Sequence, residues 1–184
     1  MTRQDIAKLQ HSLRETPFAA NRVLAVLSKL FNLAEAWGYR PDNSNPCRHV
    51  QKYHEHARER MLSDEELARL GQALDGYTGS PYVVAAIKLR VVTGARLCEM
   101  LGLRWEQVDF DRGEARLTVH KTSRTTGAKT LHLPPPALDL LRKLPSVEGN
   151  PHVIVGHVAG RQLVNLQKPW REIRGTADLN DVRI

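Results

Sequence analysis

Residues 91–109 read VVTGARLCEMLGLRWEQVD. An apolar helix end runs into a Thr93-Gly94-Ala95 turn, and Arg96 follows at once. Leu97, Met100, Leu101 and Leu103 then recur at helical spacing, which predicts a short helix packed on a core. Arg96 therefore stands where a helix begins. A helix start offers free backbone N–H groups and a positive dipole end, both suited to a phosphate. Arginine adds a planar fork that grips two phosphate oxygens. Glu99, one turn on, is placed to hold that guanidinium in one pose. Spacing alone equally allows an ordinary solvated Arg–Glu pair at i, i+3.

Working outward, Ser80-Pro81 predicts the start of the helix that leads into the turn, with proline at its first position. Val83, Val84, Ile87, Val91 and Val92 predict that this helix is buried. Before it, Ser63 with Glu66 is a capping box opening a helix to about Leu74. After Asp109, residues 114–119 alternate as a strand and Lys129–Leu133 is a second. The two form a hairpin around the basic loop HKTSRTTGA. Pro134 to Pro136 open a helix carrying Leu138, Leu140, Leu141 and Leu144. His152–Val155 reads as a short strand or turn. A last amphipathic helix runs from Asn165 to about Arg174, with Lys168, Trp170 and Arg171.

Toward the start, Thr2 and Asp5 cap a short helix reaching about Arg14, with Ile6, Leu9 and Leu13 on one face. Pro17 opens a longer helix in which Ala20, Val23, Leu24, Leu27, Leu30, Phe31 and Ala34 keep amphipathic spacing up to a Gly38 stop. Pro41 to Pro46 is a loop. Residues 47–61, CRHVQKYHEHARERM, form a basic linker. Its three histidines, His49, His54 and His56, lack the four well-spaced ligands of a zinc site, so no metal is expected.

Net charge is +7, spread over both halves of the 184 residues, which favours a polyanionic partner, nucleic acid first. Cys47 and Cys98 have no metal spacing and read as free thiols in a reducing compartment. The polar start MTRQDIAKLQ is not a signal peptide, and no apolar run approaches a membrane span. A cytoplasmic location is expected.

The string T-G-A-R-x-x-E-x-L-x-L-R-W-x-x-V-D over Thr93–Asp109 closely resembles the first arginine box of the tyrosine recombinases, the phage-integrase family. The long helix, the Gly38-Tyr39 turn and the Asn45-Pro46 loop resemble the end of that family's core-binding domain. The resemblance implies a mainly α fold with a small antiparallel β-hairpin or sheet. Residues 1–57 would be the end of a helical DNA-clamping domain plus linker, and 58–184 the first part of a catalytic domain. It implies double-stranded DNA and other recombinase subunits as partners, and no cofactor or metal.

In this family a tyrosine attacks the scissile phosphate, two arginines stabilise the charge that builds on it, and a hairpin lysine protonates the leaving 5′-hydroxyl. Arg96 matches the first arginine and Glu99 its supporting acid. Lys121 matches the lysine best by strand position, with Lys129 as the alternative. Arg22, Lys29, Arg48, Lys52, Arg58 and Arg124 are candidate DNA contacts. No H-x-x-R box follows Arg96, and Tyr39, Tyr53, Tyr77 and Tyr82 all precede it. The expected function is therefore DNA binding in site-specific recombination and DNA integration by a truncated copy that cannot cleave alone. The alternative is a non-catalytic module that modulates a full-length recombinase. A monomer off DNA, reduced stability and exposed apolar surface near Trp170 and Ile173 are also expected.

Overall fold

The computed structural model describes residues 1–56, 59–118 and 127–184. The chain divides into two compact units, Met1–Glu59 and Arg60–Ile184. Among the described residues the architecture is mainly α with one small antiparallel sheet. Among the described residues, no helix is long and apolar enough to cross a membrane.

The first unit holds α1 (Arg3–Ser12) and α2 (Pro17–Ala36). Thr2 and Asp5 form a reciprocal capping box at the start of α1, so two otherwise orphaned N–H groups are satisfied. Gly38, at φ +74°, takes the left-handed step just beyond α2. The core is small: Ile6, Leu24 and Cys47, backed by Leu27, Phe31 and Val50. Buried asparagines supplement it. The Asn21 amide donates to the Tyr53 carbonyl at 2.8 Å and accepts from the Tyr53 N–H at 2.9 Å. Asn45 donates to Asn32 Oδ1 at 2.7 Å and accepts from the Cys47 N–H at 2.9 Å. These bonds lay residues 45–53 along α2 and complete a core that two helices alone would leave open.

The second unit begins with α3 (Asp64–Asp75), opened by the Ser63–Glu66 capping box. It continues with α4 (Pro81–Thr93), the short α5 (Leu97–Leu101) and a single 3-10 turn at Trp105–Gln107. A three-stranded sheet follows in the order β1 (Val108–Asp109), β2 (Glu114–Leu117) and β3 (Lys129–His132). Its register pairs Asp109 with Glu114, Glu114 with His132 and Leu117 with Lys129. The expected hairpin thus gains a short edge strand from the Val108-Asp109 end of the box. Asp109 Oδ1 accepts from the Asp111 and Arg112 N–H groups at 3.1 and 2.9 Å, which turns the chain from β1 toward β2. Two helices close the unit, α6 (Pro135–Lys143) and α7 (Gln167–Thr176). His152 to Val155 contributes isolated bridges, Arg104 with His152 and Val155 with Gln162.

One core joins these elements, with Leu89, Met100, Leu103, Ala115, Leu133, Leu141, Ile154 and Ile173 among its fully buried members. Two expectations are corrected. Val91 and Val92 are exposed, because the last turn of α4 lines an open apolar groove of about 260 Å³ with Leu67, Leu70, Leu74 and Leu140. Trp170 and Ile173 are buried, at 5% and 1% exposure. The segment after α7 covers them: Leu179 enters the core, and the Val182 carbonyl accepts from Trp170 Nε1 at 3.3 Å and Arg174 Nη1 at 2.9 Å.

Candidate functional site

The site is made where α4 stops. Thr93 Oγ1 donates back to the Leu89 carbonyl at 2.7 Å and accepts from the Ala95 N–H at 3.3 Å. Gly94 sits at φ +64°, the left-handed conformation in which a side chain would be strained, and its N–H donates to Arg90 O at 2.9 Å. The chain therefore reverses within two residues and α5 begins at once. Met100, Leu101 and Leu103 anchor α5 and its exit in the core. The Trp105 N–H donates to Pro151 O, and the Val153 N–H to Leu103 O. With its apolar side fixed, the start of α5 can carry charge outward.

Arg96 is the N-cap of α5, in extended backbone conformation. Its side chain is 59% exposed, whereas that of Glu99 is 2% exposed. Glu99 accepts from the Arg96 backbone N–H at 3.2 Å and from Arg96 Nη1 at 3.1 Å. Its second oxygen also accepts from Lys129 Nζ at 2.8 Å. Burial pushes the Glu99 carboxyl upward. The bonds from Lys129 and from the backbone and guanidinium of Arg96 outweigh burial and hold it below its ordinary value of 4.5. One ionised, buried carboxylate thus serves two cations, and the trio keeps a surplus positive charge. An exposed guanidinium with its base fixed from behind can receive a phosphate without first being ordered.

The structure brings together Arg96, Glu99 and Lys129. The other lysine candidate, Lys121, lies outside the described residues, as do Arg58 and Arg124. Arg22, Lys29 and Lys52 are exposed on the first unit. Arg48 turns onto its own unit, donating to Asn43 Oδ1 at 2.7 Å and lying 3.7 Å from Glu35. His54 and His56 pack ring against ring, 4.6 Å between centroids. Among the described residues, no group of three or more His, Cys, Asp or Glu is placed to hold a metal.

Sequence reasoning missed two features. The pairing of Glu99 with Lys129 was one, although Lys129 shares the inward parity of Leu131 on β3 and of Leu133 just beyond it. An inward lysine needs a buried anion, which was the available signal. The other was Arg60, assigned to the basic linker. It grips Glu66 with two bonds of 2.8 and 2.6 Å and Asp181 with one of 2.7 Å, tying the start of α3 to the segment after α7.

The phage integrase family model matches residues 60–183. The shufflon-specific DNA recombinase of Escherichia coli is 34% identical over 114 residues, covering 59% of this chain and 29% of that protein. The fold is similar to that of a lambda integrase dimer bound to a COC′ core site, with TM-score 0.69 and 19% identity over 100% of this chain and 64% of that one. It is also similar to a Tn1549 transposon integrase in complex with circular intermediate DNA, with TM-score 0.62 and 13% identity over 98% of this chain and 71% of that one. The chain thus spans less than a third of the curated relative and under two thirds of the lambda integrase chain.

Proposed function

The chain belongs to the phage integrase family, and on that premise we propose that these 184 residues bind double-stranded DNA in site-specific recombination and DNA integration. The observation that carries the reading is the exposed Arg96 guanidinium, backed by the buried Glu99 carboxylate and flanked by Lys129. Its ligand is a backbone phosphate. Arg96 neutralises charge on the phosphate oxygens, and would do so most strongly where charge builds during strand transfer. Lys121 is the hairpin lysine that this reading assigns to protonating a leaving 5′-hydroxyl.

Residues 1–57 supply the clamping side, where Arg22, Lys29, Arg48 and Lys52 add phosphate contacts, and the reading assigns Arg58 and Arg124 the same role. The partners are duplex DNA and other recombinase subunits, in the cytoplasm. No tyrosine follows Arg96 in these residues, so the reading assigns them binding and leaves strand cleavage to a nucleophile they do not contain.

Fluorescence anisotropy with a labelled duplex over a range of salt tests the binding. Affinity should fall steeply, with a log–log slope of about −0.9 for each phosphate neutralised. A flat salt dependence would contradict DNA as the ligand. Incubation with a nicked duplex, followed by a denaturing gel, should show no covalent adduct; recovery of one would overturn the non-cleaving assignment.

A further inference from the structure

We propose that Lys129 is a positioning residue that holds Glu99, and through it Arg96, and that it is not the acid that serves a leaving group. The proposal rests on the phosphate-binding reading of Arg96. Three observations carry it. Lys129 opens a regular strand, paired with Leu117 across the sheet, and shares its inward parity with Leu131 and Leu133, both buried. Its ammonium meets the Glu99 carboxylate at 2.8 Å, and that side chain is 2% exposed. The same carboxylate takes both the backbone N–H and Nη1 of Arg96.

An ammonium bonded to a buried carboxylate is held in place, because its departure would remove one of the three donors that keep that carboxylate ionised and leave Arg96 to carry it alone. Glu99 in turn divides its charge between two cations. With Lys129 present, its pull on Arg96 is shared and the guanidinium stays turned outward. Without Lys129, the full carboxylate charge falls on Arg96 and draws it in, so the phosphate loses its partner. Lys129 thereby acts on the ligand through Arg96, whereas a lysine touching the phosphate would act independently of Arg96.

A double-mutant cycle on duplex binding separates the two roles. Lys129→Met should weaken binding about fivefold in the unmodified chain, the equivalent of a coupling of about 1 kcal/mol. In an Arg96→Met background it should change binding by less than about twofold and leave the salt slope alone. Lys129→Arg, which keeps the cation, should restore binding to within about twofold. Losses that multiply in the double variant, with the salt slope falling by about one more, would mean a direct phosphate contact and overturn the proposal.

The Arg96 Nε–Hε cross-peak of the free protein, identified by its loss in Arg96→Met, gives a readout without DNA. It should move in Lys129→Met and return in Lys129→Arg. Lys129→Gln serves the same comparison if the methionine variant does not fold. If the chain fails to bind duplex while the cross-peak still responds to Lys129, the DNA reading falls and the positioning role stands. If binding is intact and the cross-peak ignores Lys129, the positioning role falls alone.

Discussion

Glu99 has the burial of a core residue and the charge of a surface one. Its side chain is 2% exposed, yet it remains ionised because Lys129 and Arg96 supply three donors. The sign of its pH dependence follows. Its folded value lies below the ordinary 4.5, so its contribution to stability is complete above 4.5 and is lost as pH falls from there through the lower folded value. Acid titration followed by circular dichroism should therefore show the native chain losing stability below pH 4.5 more steeply than Glu99→Gln. Equal acid sensitivity of the two would mean that Glu99 is not held ionised by its neighbours. Arg96 and Glu99 were legible in the sequence because helix geometry brings i and i+3 together. The Lys129 partnership was not, because it joins residues 30 apart through a strand pairing that no local period encodes.

Elements were legible where their ends carried chemistry. The Thr2–Asp5 and Ser63–Glu66 boxes and the prolines at 17, 81 and 135 place helix starts close to where they stand. The edge strand β1 was missed because two residues are too few to show alternation. Periodicity also mis-stated what covers each face. The valines at 91 and 92 are as apolar as those in the core, but the last turn of α4 faces a groove. Trp170 and Ile173 were expected bare, and the Leu179–Ile184 segment folds back over them.

That segment is held from the other side by Arg60, whose bond to Glu66 keeps that carboxyl down at about 2. Leu133 is the hinge between sheet and helix: its N–H donates to Gly113 O at 2.7 Å and its side chain is 1% exposed. Leu133→Ala should cost about 2–5 kcal/mol in urea denaturation, by lost burial and the cavity left behind. A loss below about 1 kcal/mol would show that sheet and helices are not one cooperative core.

For the whole molecule, the 17-residue box at Thr93–Asp109 carries the resemblance that implies the fold class, and the match over residues 60–183 shows the family. The structure accounts for that box physically. Thr93 and Gly94 end one helix, Arg96 and Glu99 set a fixed cation at the start of the next, and Leu101 and Leu103 root it in the core. Val108-Asp109 then begins the sheet whose third strand returns Lys129 to Glu99. The net charge of +7 favours a polyanionic partner in general, and on the proposed reading Arg96 would be a defined point of contact within that broad attraction.

The most direct measurement is the salt dependence of duplex binding by the native chain and by Arg96→Met, side by side. If Arg96 holds a backbone phosphate, the variant binds more weakly and its log–log slope is shallower by about one. If affinity and slope are both unchanged, Arg96 faces no phosphate, and the account of this site is contradicted.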